Sequence, residues 1–161
     1  MVLIAMAVTP AAMYGSTAYV AGGAGEWGTI NLSTGQFNLL GTSSSDLNGV
    51  VVTSAEKYLG YDALNDLVSV NPLNGALTLI GSGGVVLDAI AIESNGSLFG
   101  FSRNTSDLYS INPNTGATAV IGSTGLAANG GADSFTSNGT SLFLTYETGT
   151  ASQAQDSATG R

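Results

Sequence analysis

Apolar and polar residues alternate along most of this chain in runs of four to six, and the runs are separated by short clusters of Gly, Asn, Ser, Thr and Pro. Such alternation predicts half- or fully buried β-strands joined by tight turns. The clearest stretch is residues 88–122. Residues 88–93 (DAIAIE) read as a strand, Asn95 and Gly96 as a hairpin turn, and 98–102 (LFGFS) as a second strand. Residues 108–112 form a third. Pro113, Asn114, Thr115 and Gly116 supply a turn built on the fixed φ of proline and the positive φ open to glycine, after which 117–121 return as a fourth.

The same plan recurs. Residues 28–41 (GTINLSTGQFNLLG), 67–81 (LVSVNPLNGALTLIG) and 108–122 (LYSINPNTGATAVIG) are near copies, and their turn glycines Gly35, Gly75 and Gly116 stand 40 and 41 residues apart. The second unit predicts strands at 49–53, 58–61, 67–71 and 76–80. A fourth begins with 134–136, turns at Asn138 and Gly139, and continues through 142–146. A period near 40 residues carrying four short strands is the signature of a β-propeller, in which each unit is one blade. The expected fold is therefore all-β, a β-propeller of four-stranded antiparallel blades with about three and a half blades present, at residues 1–41, 42–81, 82–122 and an incomplete 123–161.

The repeat also reinterprets the two ends. Residues 2–8 resemble the apolar core of a signal peptide, but no Lys or Arg precedes them and they are too short to span a membrane. In register with 88–93 they become the innermost strand of the first blade, with 9–17 as its loop. Residues 141–160 match 97–116 in length without a gap, which sets Thr159 and Gly160 at the positions of Thr115 and Gly116. Residues 151–157, however, lack the apolar alternation of a third strand.

These units resemble known repeats. Residues 6–10 (MAVTP), 16–21 (STAYVA) and 28–35 (GTINLSTG) are similar to one unit of the YVTN-type β-propeller repeat. The second and third are similar to related secreted bacterial propellers with a Leu-Tyr-x-Ile-Asn-Pro-x-Thr-Gly strand and turn. Residues 11–15 depart from the YVTN pattern, where a short Asp-Gly-Lys type turn is usual. The resemblance implies a bacterial or archaeal propeller, secreted or surface-attached, with a binding or scaffolding role and no catalytic residue to carry over.

Charge narrows the partners. Only Lys57, Arg103 and Arg161 are cationic against a formal net charge of −8, so little is present to neutralise phosphates, and neither nucleic acid nor membrane insertion is expected. With no cysteine there are no disulfides or thiolate metal sites, and with no histidine a Ser-His-Asp arrangement cannot be assembled from this chain.

Few residues remain as candidates for chemistry. Asp46, Asp88 and Asp133 stand near the heads of the innermost strands, which line the channel of a propeller. Acids recurring there could bind a hard cation such as Ca²⁺ through oxygen ligands; the expected role is structural, accepting backbone N–H bonds and fixing one blade against the next. Asn48, not Asp46, holds the spacing to Tyr58 that Asp88 holds to Leu98. Asp62, Asn65 and Asp66 suit a solvated loop. Trp27 follows the Gly-rich residues 22–25, where a partly exposed ring could stack on a sugar; the other aromatic residues fall mostly on strands and are expected in the core. Sequons at Asn31, Asn95, Asn104 and Asn138 are what so Asn-, Ser- and Thr-rich a chain produces by chance.

The expected function is a non-enzymatic binding or scaffolding module, extracellular or at the cell surface, that presents loops to a protein or glycan. The alternative is a fragment of a propeller enzyme, a metal-dependent hydrolase or lyase completed by missing blades. Three and a half blades fall short of the four to eight that close a ring, so the chain is expected to be part of a larger propeller or to self-associate through open blade faces.

Overall fold

A computed structural model describes residues 17–126 and 131–147. Strands β1 (Thr17–Ala21), β2 (Glu26–Asn31) and β3 (Phe37–Thr42) form one sheet. Strands β4 (Leu47–Val52), β5 (Tyr58–Asp62), β6 (Asp66–Val70) and β7 (Leu77–Ser82) form a second, in chain order. The third repeats that order with β8 (Ala89–Ile92), β9 (Leu98–Ser102), β10 (Asp107–Ile111) and β11 (Thr118–Ser123). Strands β12 (Gly131–Ser137) and β13 (Leu142–Glu147) pair as a hairpin, and neighbours are antiparallel throughout. The chain is thus an all-β, open array of propeller blades. The strand expected at residues 2–8 and the remainder of the fourth unit lie outside the described residues.

The turns form where the sequence placed them, and for the expected reason. The amides of Gly35, Gly75 and Gly116 donate to the carbonyls of Asn31, Asn71 and Asn112 at 2.8, 2.8 and 2.9 Å, with the glycines at φ of 71°, 74° and 73°. Each asparagine side chain accepts the amide two residues on, from Ser33, Leu73 and Asn114, so it stabilises the turn it opens.

Outer strands β7 and β11 run two residues further than the alternation predicts. Their pairing skips a residue: Leu67 faces Gly81 but Val68 faces Leu79, and Leu108 faces Gly122 but Tyr109 faces Val120. The same β-bulge recurs in β3, where Trp27 faces Gly41 and Gly28 faces Leu39. A bulge leaves one residue unpaired and bends the strand. The residues so released are Leu40, Ile80 and Ile121. Leu40 and Ile80 pack into the two apolar clusters between successive sheets.

Those clusters form the core, because each middle sheet has both faces covered. Trp27 and Leu40 meet Val68, Val70 and Leu77 between the first and second units. Leu59, Tyr61 and Leu67 meet Leu87, Ile90, Leu98 and Ile111 between the second and third. Phe101 meets Leu144 and Tyr146 at the fourth. Near-continuous apolar strands such as 88–93 follow from this two-sided burial.

Candidate functional site

The inner strands β4, β8 and β12 lie side by side, with β8 packed between the other two. Toward their carboxyl ends they border a groove of about 220 Å³. It is lined by residues 50–52, 90–92 and 135–137 and its open surface is more polar than apolar; Val51, Ile90 and Ala91 are buried, Val52 is half exposed and Thr136 exposed, and the Ser137 hydroxyl oxygen accepts the Gly139 amide at 2.9 Å. The hairpin turns after β8 and β12 are tied together at the same end by the Ser94 hydroxyl, which donates to the Gly139 carbonyl at 2.8 Å. Among the described residues no acidic side chain lines this groove.

Of the three acids near the heads of the inner strands, Asp88 has the structural role expected of it, accepting a backbone N–H, though within its own unit. Asp88 Oδ2 accepts the Arg103 amide at 2.7 Å, and Oδ1 pairs with Arg103 Nε at 2.9 Å, which holds the head of β8 to the loop after β9. Asn48 occupies the equivalent place in β4, since Gly49 faces Tyr61 as Ala89 faces Phe101. Its amide crosses to the next unit and donates to the Leu87 carbonyl at 2.9 Å. Asp46 stands two residues earlier, exposed, with its main-chain carbonyl accepting from Ala63. Asp133 lies on β12 at the bulge between Ala132 and Ser134, and its side chain is outside the described part. Among the described residues no three His, Cys, Asp or Glu side chains come together as metal ligands would.

Asp62 has a plain local role. Its Oδ1 accepts the amides of Leu64 and Asp66, both at 3.0 Å, and so closes the loop between β5 and β6.

The expectation for Trp27 is corrected. Its ring is 1% exposed, stacks on Tyr19 at a centroid distance of 5.5 Å, meets Tyr58 edge-on, and donates its indole N–H to the Pro72 carbonyl at 3.0 Å. The Gly-rich segment before it is a short 3-10 turn, Gly23–Gly25, fastened by the Ser43 amide and hydroxyl, which both donate to the Gly25 carbonyl. No face of the indole is left for a sugar, because the turn of the second unit covers it.

Two features went unread in the sequence. One is the groove, which needs three strands from three units. The other is the glycine that ends each repeated segment. A Cβ on Gly41 would collide with the Asn74 carbonyl, and one on Gly81 with the Thr115 carbonyl, so each outer strand admits the next unit's turn only because it carries glycine there. The signal was present: each repeated segment ends in that glycine.

Neither a protein-family model nor a curated protein matches this chain. Solved structures do. A Bacteroides thetaiotaomicron protein of unknown function aligns with a TM-score of 0.64 at 14% identity, over 81% of this chain and 40% of that one. The nidogen/laminin complex aligns at 0.63 and 14%, over 81% and 53%. An auxiliary nutrient binding protein from Bacteroides ovatus aligns at 0.59 and 11%, over 81% and 33%. At these identities the likeness is one of fold, and the chain spans a third to about half the length of these structures. Blade order, bulge register and this likeness together define a partial β-propeller.

Proposed function

We propose that the chain is a non-enzymatic binding module of a secreted or cell-surface protein, built from YVTN-type repeats, and that it holds a glycan or protein segment in the groove between β4, β8 and β12. The observation that carries this reading is the groove itself, where buried Val51, Ile90 and Ala91 lie beneath an open surface that is more polar than apolar. Binding sites combine apolar side chains with polar groups that fix the ligand's orientation. The polar lining suits sugar hydroxyl groups or a peptide backbone, and the overall negative charge disfavours anionic ligands. Two of the similar structures are a protein complex and a nutrient binding protein, which is in keeping with a binding role. The test is a glycan array together with a pull-down from the envelope of the source organism. A retained ligand should be lost in Thr136→Arg, which adds bulk and charge at an exposed residue of the lining, while the melting temperature stays unchanged. Blank results in both assays, or binding indifferent to Thr136→Arg, would contradict the proposal.

A further inference from the structure

Three consecutive residues of each inner strand, 50–52, 90–92 and 135–137, line the groove. Consecutive side chains of a strand point to opposite faces of its sheet, so what the three share toward the groove is the edge of the strand, its main chain. That edge is unpaired: β4 and β8 each end their sheet, and among the described residues β12 is hydrogen-bonded to β13 alone. The innermost strand of a propeller blade has such a free edge whatever the number of blades. Of the lining residues only Thr136 and Ser137 carry polar side chains, and the Ser137 hydroxyl already accepts the Gly139 amide, yet the open surface is more polar than apolar. Main-chain N–H and C=O groups supply the rest.

The phase of each ladder fixes which groups these are. In an antiparallel pair, residues alternate between those bonded to the partner strand and those whose N–H and C=O point away from it. The Thr53, Glu93 and Asn138 amides donate to the carbonyls of Lys57, Ser97 and Ser141 at 2.9, 2.9 and 3.2 Å, one step beyond the paired residues. By that alternation Val52, Ile92 and Ser137 turn their N–H and C=O to the groove, and Val50, Ile90 and Phe135 do so one tier deeper. Each of these residues offers one donor and one acceptor.

We propose that the groove is a main-chain receptor for one neutral sugar ring, whose hydroxyl groups bond the N–H and C=O groups of Val52, Ile92 and Ser137 at the mouth and of the tier beneath. This rests on the binding reading above and narrows it to one ligand class. Every sugar hydroxyl both donates and accepts, which matches strand edges that offer both. The edges converge from three strands, whereas an added peptide strand pairs along a single edge. The volume of about 220 Å³ lies below the roughly 300 Å³ at which pockets for drug-sized ligands begin, so it suits one ring and not an oligosaccharide. Among the described residues no charged side chain lines the groove, so nothing there offsets the desolvation of a charged ligand.

The full chain, isotopically labelled, is titrated with glucose, galactose, mannose and N-acetylglucosamine, with glucuronic acid, and with a blocked hexapeptide of serine and threonine, while NMR reads amide shifts and hydrogen exchange. One of the neutral sugars should saturate, shifting the Val52, Ile92 and Ser137 amides and slowing their exchange; the ladder amides of Val51 and Ala91 should be protected with or without it. Glucuronic acid and the peptide should leave these amides unmoved. Val52→Ala keeps the main chain and should hold the sugar within about twofold, whereas Val52→Pro removes an N–H that no ladder bond uses, a change an edge strand tolerates, and should weaken binding about tenfold. If Val52→Pro does not fold, the shifts and exchange of the wild type and the affinity of Val52→Ala decide. No response to any neutral sugar, a sugar that shifts none of the three amides, a loss in Val52→Ala as large as in Val52→Pro, or a preference for glucuronic acid or the peptide would overturn the proposal. The binding reading fails separately, by a blank glycan array together with a blank pull-down, and a protein retained in the pull-down would leave it standing.

Discussion

The indole N–H of Trp27 donates to the carbonyl of Pro72 across 3.0 Å, joining strand β2 of the first unit to the turn of the second. The two residues are 45 positions apart in sequence, and the contact belongs to the same seam as the approach of Gly75 to the Trp27 side chain. Blade follows blade through contacts of this kind, a turn of one unit lying against the middle and outer strands of the unit before it.

Replacing Trp27 tests that seam. Trp27→Ala should destabilise by about 3–5 kcal/mol, the usual cost of removing a large buried ring, and Trp27→Phe by less, roughly the hydrogen bond and the lost ring area. Urea unfolding gives the values. Because Trp27 is the one tryptophan of the chain, its fluorescence should be blue-shifted and resistant to acrylamide in the native state.

The Asp88 carboxylate holds the Arg103 amide as well as its guanidinium. Asp88→Asn keeps an acceptor for the amide and loses only an ion pair whose arginine is half exposed, so it should cost less than about 1 kcal/mol. Asp88→Ala also strands the amide and should cost about 1–2 kcal/mol. Calcium should leave the melting temperature of the wild type unchanged. A calcium-dependent rise that disappears in Asp88→Ala would assign the carboxylate to a cation instead.

Burial pushes the Tyr61 hydroxyl up to about 12, with Asp66 and Asp62 adding repulsion of the phenolate; the hydroxyl donates to Val85 at 2.6 Å. The folded chain therefore holds this proton where the unfolded chain has released it. Stability falls as pH rises from about 10 to about 12, by at most about 2–3 kcal/mol. Unfolding measured across that range should show the decline, and Tyr61→Phe should flatten it.

How far the sequence reached depended on the range of the interaction. Strands and turns were legible because the alternation and the Asn-x-x-x-Gly turns act within a few residues; β9 at Leu98–Ser102 agrees residue for residue. Trp27 was misread because its neighbours in sequence are glycines, whereas its cover, Pro72 and Gly75, comes from another unit. The shift from Asp46 to Asn48 was visible in the spacing, but only the bulge at Leu47 and Gly49 explains it. The groove and the glycine seats are non-local throughout, each needing two or three units side by side.

The claim that glycine admits each turn is tested most directly by comparing two glycines that occupy the same place in successive repeats. Gly81→Ala forces a methyl group against the Thr115 carbonyl, a backbone atom that cannot rotate aside, and should lower stability by about 1–3 kcal/mol. Gly122→Ala, where a Cβ meets no described atom within 4 Å, should shift stability by no more than about 0.5 kcal/mol. Urea midpoints at low protein concentration decide it: a large loss at Gly81 beside a negligible one at Gly122 is the predicted result, and equal shifts at both would contradict the account.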